Sequence, residues 1–363
     1  MLIRVFFHIL AFLMKFASKI NTSQIMKSVY TWMFFIVLAG TILFSCKSRR
    51  QPQRVFFRGE AQGTYYEVTY FDTLNRNFQT SIDSLLKEFD NSLSLWVDSS
   101  IISKVNRNEQ VHLDSLFIAV FEKSMEVARL TNGKFNVCVG PLVELWGFHQ
   151  KKGEVPNDEK ITEALRHIDY RKVKIEGDRL IKEDSLIRLD FNAIAQGYSV
   201  DVIASFLKSK GIRAFLIDVG GEVLAGECKP DGTAWRVGVE KPADSANADR
   251  QIENVIELCN KAIATSGTYR KYRVENGRKL SHTIDPATGY PVQHNLLSVS
   301  VVSSDAMTSD AFATAFMVMG AEEAWRFIKA HKELGLEAMF ITFNDKGELM
   351  TVMTPGFSQM ISK

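Results

Sequence analysis

Asp310 and Thr314 stand four residues apart in Asp310-Ala311-Phe312-Ala313-Thr314, a spacing that puts both on one face of a helix. A carboxylate beside a hydroxyl makes a hard oxygen site suited to Mg²⁺. The plainer reading is a near-surface aspartate complementing a helix dipole, since the helical pattern reads from Asp310 to Gly320, with a threonine bonded back to its own helix. His282 marks a second patch, Ser281-His282-Thr283-Ile284-Asp285-Pro286-Ala287-Thr288-Gly289, preceded by Ala264-Thr265-Ser266-Gly267-Thr268-Tyr269-Arg270. An imidazole, with an unperturbed pKa of about 6.5, moves protons near neutrality. A lone loop histidine is more often a surface residue, but the turn hydroxyls and Arg270 in its company favour function.

Four more patches put glycine, small polar residues and a carboxylate or amide together. Gly59-Glu60-Ala61-Gln62-Gly63-Thr64 has two glycines, which let backbone approach a ligand closely or simply make a turn or β-bulge. Thr131-Asn132-Gly133-Lys134-Phe135-Asn136 runs on into Val139-Gly140-Pro141-Leu142-Val143-Glu144-Leu145-Trp146-Gly147-Phe148. A helix cap accounts for Gly133, and the aromatic, glycine-bounded loop would either wall a flat heteroaromatic ligand or plug the core. Asp190-Phe191-Asn192-Ala193-Ile194-Ala195-Gln196-Gly197-Tyr198 reads as a strand end turning into a helix, whose first N–H groups suit an anion or a cap. Asp218-Val219-Gly220-Gly221-Glu222 reads as a glycine turn between strands.

The elements that must position these patches follow from periodicity. Alternation through 64–70 predicts a strand beginning near Val55, and Phe78, Ile82, Leu85, Leu86, Phe89 and Leu93 fall at helical spacing. Asp114 is a good N-cap for a second helix that stops at Asn132-Gly133. Val200, Ile203, Ala204 and Leu207 mark a third helix ending at Gly211. Strands are predicted at 214–219, 235–240, 297–302 and 338–343, the last followed by a turn at 344–347. Strands neighbour strands as often as helices, so an α+β fold fits better than a doubly wound sheet.

The 363 residues are 46% hydrophobic and 24% charged, the profile of a folded globular chain, and a net charge of +2 argues against a nucleic-acid partner. Residues 26–46, MKSVYTWMFFIVLAGTILFSC, pair a short basic start with an apolar stretch too short for a comfortable span and suited to a signal peptide. Leu43-Phe44-Ser45-Cys46, followed by the polar run KSRRQPQR, resembles a bacterial lipobox, an uncleaved N-terminal anchor being the alternative. The expected organisation is an upstream extension at 1–25, a lipoprotein signal peptide at 26–45, a tether at 46–54 and one compact catalytic unit at 55–363. The body would face the periplasm from a bacterial membrane, the inner membrane being the expected one. With Cys46 so assigned, Cys138, Cys228 and Cys259 remain, an odd number without a C-x-x-C pair, so neither a disulfide framework nor a zinc site is expected.

In this order, the patches resemble the ApbE-type FAD:protein FMN transferases: G-x-x-x-G-T, G-x-F-x-x-x-V-G-P-L-V-x-L-W-G-F, D-x-x-A-I-A-x-G-Y, A-T-S-G-x-Y-R, S-H-x-I-D-P-x-T-G and D-A-x-x-T all occur between Gly59 and Thr314. The resemblance implies a T-fold-like duplicated α+β architecture with FAD as an extended substrate. It implies FAD contacts at Gln62, Trp96, Lys134, Phe135, Asn136, Asp190, Gln196 and Val292, with Gln62 towards the adenine. It implies Mg²⁺ on Asp310, Thr314 and the backbone carbonyl of Ala193, and His282 in the transfer step. Gln62, Asn136 and Gln196 depart from the commoner methionine, aspartate and Lys or Glu. The implied reaction places FMN on a threonine or serine of a partner protein and releases AMP, in subunits of Na⁺-translocating NADH:quinone reductase or Rnf-type electron-transfer complexes. An FAD pyrophosphatase giving free FMN and AMP, or a non-catalytic flavin-binding lipoprotein, are the alternatives.

The lipobox reading has a direct check. Mass spectrometry of membrane-extracted protein is expected to find Cys46 acylated and N-terminal, whereas an intact peptide spanning residues 40–50 as the dominant species overturns it.

Overall fold

The computed structural model describes residues 14–15, 28–36, 51–148, 155–242, 251–268, 272–275, 278–344 and 346–362. Cys46 and the lipobox, and Tyr269 and Arg270 of the histidine patch, lie outside the described residues. Two compact units are distinct, Met1–Gln51 and Pro52–Lys363. In the first, residues 28–36 are helical, and no described helix is long and apolar enough to cross a membrane.

The second unit is built on an eight-stranded antiparallel sheet. In chain order its strands are β1 (Gln53–Ala61), β2 (Thr64–Asp72), β5 (Phe215–Val219), β6 (Glu222–Ala225), β9 (Lys261–Gly267), β12 (Leu296–Ser303), β13 (Glu337–Phe343) and β14 (Leu349–Met353), and their spatial order is the same. Three hairpins stand apart from it: β3 (Val173–Glu176) with β4 (Arg179–Lys182), β7 (Trp235–Glu240) with β8 (Ile252–Leu258), and β10 (Tyr272–Glu275) with β11 (Arg278–Ser281). The helices are α1 (Gln79–Leu93), α2 (Ile101–Asn106), α3 (Ser115–Leu130), α4 (Gly140–Leu145), α5 (Asp158–Leu165), α6 (Ala195–Ser209), α7 (Ala306–Met319), α8 (Ala321–Ala330) and α9 (Pro355–Gln359).

The sheet is two copies of one plan. β1-β2 and β5-β6 flank the helical stretch that ends in α6, and β9-β12 and β13-β14 flank α7 and α8. The copies join where β6 pairs antiparallel with β9, Val223 opposite Ile263 and Ala225 opposite Lys261. This is the duplicated α+β arrangement that the resemblance implied. Ile82 and Leu86 of α1 pack with Val200, Ile203 and Leu207 of α6 against the first four strands, while Phe89 of α1 joins the second core, in which Phe312 and Phe316 of α7 cover Val299, Val301 and Phe340. The opposite sheet face, including Val223, Ile263, Met339 and Ile341, is covered by Trp235, Ile256 and Leu258 of the β7–β8 hairpin and by Phe357 of α9. Burial on both faces explains why β12 reads as a continuous apolar and small-residue run rather than an alternating one.

Local signals set several boundaries. Asp114 caps α3 by accepting the Phe117 N–H at 2.8 Å, and α3 gives way to Asn132 and Gly133 at φ 49° and 81°, the left-handed exit that asparagine and glycine tolerate. Two expectations are corrected. Helix α7 begins at Ala306, capped by the Asp305 carboxylate on the Thr308 N–H, so Asp310 lies in its second turn and is buried. The segment 264–267, grouped with the turn hydroxyls around His282, belongs to strand β9, where the Thr265 hydroxyl pairs across to Ser300 of β12 at 2.7 Å and that of Ser266 faces Thr314 of α7.

The cysteine reading is also corrected: Cys228 and Cys259 form a disulfide with a Cα–Cα distance of 5.0 Å. Parity misled because the third cysteine, Cys138, is fully buried core, its thiol pushed up to about 12 by burial first and the nearby Asp169 charge second. The bond joins the chain leaving β6 to the turn between β8 and β9, where the Asn260 N–H also meets the Gly226 carbonyl at 2.7 Å. A closed loop of 31 residues corresponds to a stabilisation of about 3–4 kcal/mol in the chain-entropy account. Replacing Cys228 and Cys259 together by serine should lower the free energy of unfolding in denaturant by that order, and an unchanged midpoint would show the bond contributes nothing.

Candidate functional site

The registers bring one end of each sheet strand pair together. Tyr66 faces Val219, Glu222 continues into β6, and Gly267 at the end of β9 faces Ser298 near the start of β12. The β1–β2 turn is Gln62-Gly63, with φ 54° and 71°, and the β5–β6 turn is Gly220-Gly221, with φ 62° and 115°. Such two-residue turns with both φ positive match the twist of the strands they join. A Cβ at Gly220 would lie 2.2 Å from the Gln196 Nε2 and 2.7 Å from Thr64, so the turn is glycine for space as well as conformation.

The start of α6 fits against this rim. The Gln196 side-chain amide donates to the Val219 carbonyl at 2.8 Å and to the Glu222 carboxylate. The Ser199 hydroxyl reaches both the Gln196 carbonyl, at 2.7 Å, and the Gln62 Oε1, at 3.4 Å. Gln62 Nε2 is buried and, among the described residues, has no hydrogen-bond partner. A buried unsatisfied donor costs about 1–3 kcal/mol, and a ligand acceptor would recover it.

Helices α6 and α7 then cap one another. Asp310 Oδ2 of α7 accepts the Gly197 N–H of α6 at 2.9 Å. Asp201 of α6 accepts the Ala306 and Met307 N–H groups of α7 at 2.9 and 2.8 Å. Each carboxylate satisfies orphan donors at the other helix's positive end. Burial pushes the Asp201 carboxyl up to about 7, against the pull of those two N–H donors. Gly197 makes the approach possible, since a Cβ there would stand 2.3 Å from the Ala306 carbonyl oxygen and 2.7 Å from the Asp310 Cβ. One turn beyond Asp310, the Thr314 hydroxyl lies 3.3 Å from that of Ser266 on β9. The Gly197 N–H goes to Asp310 and so does not close a further turn onto the Ala193 carbonyl just upstream.

The remaining predicted residues form a second arm. Asp190, 5% exposed, donates its N–H to the Val137 carbonyl at 2.7 Å and accepts the Asn192 N–H at 2.8 Å, which ties the 134–137 segment to the approach of α6. Lys134 Nζ sits 3.3 Å from the Asp285 carboxylate, three residues beyond His282. The chain after His282 doubles back, with the Val292 N–H on the Thr283 carbonyl at 3.0 Å, so Val292 lies opposite the residue that follows His282. Asn136 spends its side chain on backbone, donating to Ile168 and accepting from Cys138, both at 2.8 Å. The Phe135 ring is 1% exposed and packed in the main core, so only its backbone can face a ligand. Trp96 is 68% exposed on the loop after α1. Trp146 takes the core option left open above: it is buried with Leu142, Ile161, Ile168 and Ile284 and donates to the Gly289 carbonyl at 2.8 Å.

Sequence reasoning missed Asp201, Glu222, Ser266 as Thr314's neighbour, and the Lys134–Asp285 pair. A glycine in the first turn of α6, with Asp201 four residues on along the same face, was the available signal for the first. Among the described residues no three His, Cys, Asp or Glu side chains converge as a metal cage. The Asp310 carboxylate and the Thr314 hydroxyl on α7 are hard oxygen donors of the kind a divalent cation takes alongside substrate phosphates.

Gly197→Ala should part the two helices, because a backbone carbonyl cannot step aside as a side-chain tip can. The expected loss is about 1–3 kcal/mol of stability, read by thermal unfolding. A variant that melts like the wild type would show that the helices do not need this contact.

The model of the ApbE family matches residues 62–340. The FAD:protein FMN transferase of Vibrio cholerae is 32% identical over 322 residues, covering 86% of this chain and 95% of that protein. That of Escherichia coli K12 is 28% identical over 350 residues, covering 90% and 96%. Among solved structures, the flavin transferase ApbE from Vibrio cholerae superposes with a TM-score of 0.75 at 32% identity, covering 85% of this chain and 99% of that one. The ApbE protein of Thermotoga maritima gives 0.76 at 27% identity, covering 86% and 100%. With the family match spanning most of the chain and the duplicated sheet, the paired helices and the histidine hairpin all in place, this chain belongs to the ApbE family.

Proposed function

We propose that this chain is an FAD:protein FMN transferase that moves FMN from FAD to a threonine or serine hydroxyl of a partner protein and releases AMP. The observation that carries the reading is the Asp310–Gly197 bond. It fixes a buried carboxylate, with Thr314 one turn away, at the positive end of α6, in a chain similar over nearly its whole length to named transferases.

The residues fit both FAD and Mg²⁺. Gln62 offers an unspent buried amide nitrogen on the same rim as Gln196, and Asp310, Thr314 and the Ala193 carbonyl would hold the cation. When bound, Mg²⁺ supplies charge neutralisation on the pyrophosphate. The chain's own groups do the rest. The positive end of the α6 dipole favours a phosphate there. Asp190 and the 134–137 backbone would line the substrate beside them. His282 accepts the proton of the attacking hydroxyl as its oxygen bonds to the FMN phosphorus. The bond from that phosphorus to the bridging oxygen breaks, and AMP departs with the bridging oxygen.

The proposed setting is a bacterial lipoprotein anchored through Cys46, its body facing the periplasm. The lipobox supports it, and so does the Cys228–Cys259 bond, since disulfides persist in oxidising compartments. The proposed acceptors are subunits of Na⁺-translocating NADH:quinone reductase or Rnf-type complexes.

The test incubates the full-length protein with FAD and Mg²⁺, with and without a threonine-bearing domain of a Na⁺-translocating NADH:quinone reductase subunit. Covalent FMN on the domain with stoichiometric AMP is expected. Free FMN regardless of acceptor would make water the nucleophile, and bound but uncleaved FAD would make the protein a carrier; either removes the transferase reading. His282→Ala should slow transfer by about a hundredfold while still binding FAD by titration calorimetry. Asp310→Asn keeps an oxygen for the Gly197 N–H, so it should raise the Mg²⁺ requirement with little loss of fold; an unchanged requirement would take Asp310 out of the cation site.

A further inference from the structure

His282 stands at the head of a hairpin that is pinned on two sides. The Asp285 N–H meets the Tyr290 carbonyl at 2.9 Å, and the Thr288 and Gly289 N–H groups close the turn onto the Asp285 carbonyl at 3.2 and 2.8 Å. On one side the hairpin rests on the α4–α5 lobe, through Ile284 in the apolar cluster with Trp146 and Ile161, through the Trp146–Gly289 bond, and through the Tyr290 hydroxyl, which donates to Asp158 at 2.5 Å. On the other side its contact is charged: Lys134 Nζ reaches Asp285 Oδ2 and Oδ1 at 3.3 and 3.4 Å. Asp285 Oδ1 also accepts the Ala287 N–H at 2.9 Å, so the carboxylate is fixed within the turn.

Lys134 is equally well placed to act as an anchor. Its N–H closes on the Thr131 carbonyl at 3.1 Å directly after the left-handed Gly133, and the next residue is core. Three residues on, Val137 bonds Asp190, which leads into the start of α6 and the Asp310 cap. The ion pair therefore joins the histidine hairpin to the segment that is continuous with the oxygen site.

We propose that Asp285, through its ion pair with Lys134, is a positioning residue for His282, holding the base-bearing hairpin in register with the flavin-lining segment. The inference rests on the transferase reading for what His282 does, but not for what the pair holds. With side chains 26% and 20% exposed, the pair is partly solvated and adds little to global stability. Its effect falls on geometry, where a displacement of about 1 Å can cost a hundredfold in rate.

The test uses the full-length chain carrying Lys134→Met, Asp285→Asn, or both, with two independent readouts. Hydrogen exchange should speed up in residues 282–292 in every variant, with the β9, β12 and α7 amides and the melting temperature unchanged. Unaltered exchange in 282–292 overturns the proposal whatever the protein's activity. In FMN transfer to the quinone-reductase domain, each single variant should lose about tenfold in kcat, with FAD affinity in Asp285→Asn changed less than threefold, and the double variant should lose no more than Lys134→Met alone. Losses that multiply, or a fall in FAD affinity in Asp285→Asn matching the fall in kcat, also overturn it, the latter making Lys134 a ligand contact. A wild type that transfers nothing removes the functional reading, and exchange then judges the strap alone.

Discussion

The site depends on a contact between two helix starts that could not both be satisfied alone. An isolated helix leaves its first N–H groups without partners, and burying such an end needs an acceptor from elsewhere. Here the acceptor for α6 is Asp310 of α7, and the acceptor for α7, besides its own Asp305, is Asp201 of α6. The exchange works only at very short range, which is why Gly197 faces the Ala306 carbonyl without a side chain between them. The carboxylate proposed for the cation is thus held by the packing of the fold, not by a loop that must find its place.

The same contact stitches the duplicated halves. Helix α6 belongs to the half built on β1, β2, β5 and β6, and α7 to the half built on β9, β12, β13 and β14. Ala306, the first residue of α7, is buried among Val200, Ile203 and Leu224 of the first half, while Ile194, the cap of α6, is buried with Val299, Ala311 and Phe316 of the second. Each helix end lies in the other half's core. A site at that junction draws one wall from each copy, and neither copy alone would assemble it.

Much of this was legible in the sequence where the signal was local. Asp114 and the Asn132-Gly133 exit bounded α3, periodicity found α1 and α6, and the ordered patches pointed to the family. What stayed hidden was set by partners distant in sequence. Asp310 looked like a helix start because Asp305 and Asp310 are both plausible caps; in the structure Asp305 takes the Thr308 N–H of its own helix, whereas Asp310 takes that of Gly197, 113 residues away. The hydroxyls of 264–267 looked like turn chemistry because a strand buried between two others may carry threonine and serine when they pair across it. Cysteine parity failed because one thiol is core filling, which spacing does not reveal. Phe135 and Asn136 matched the family's flavin-lining segment by type, yet one side chain fills the core and the other clamps backbone, so what they present to a ligand is main chain.

The two arms of the site are held by different physics, and the reaction gives a reason. Charge on a pyrophosphate is best met by groups that are buried and preorganised, since their effect grows as water is excluded. The Asp310 side has that character, at 6% exposure and locked between helices. In the proposed reaction, however, the attacking hydroxyl belongs to another protein and must arrive from solvent, so the proposed base cannot be enclosed in the same way. His282 is accordingly carried on a partly exposed hairpin beyond the sheet, held by a tryptophan bond, a tyrosine bond and an ion pair at its margins instead of by a core of its own. A deeper histidine would be more rigid but out of reach of a protein acceptor, and a looser one would forfeit alignment. Polar pins at the edge of a small apolar cluster reconcile access with position.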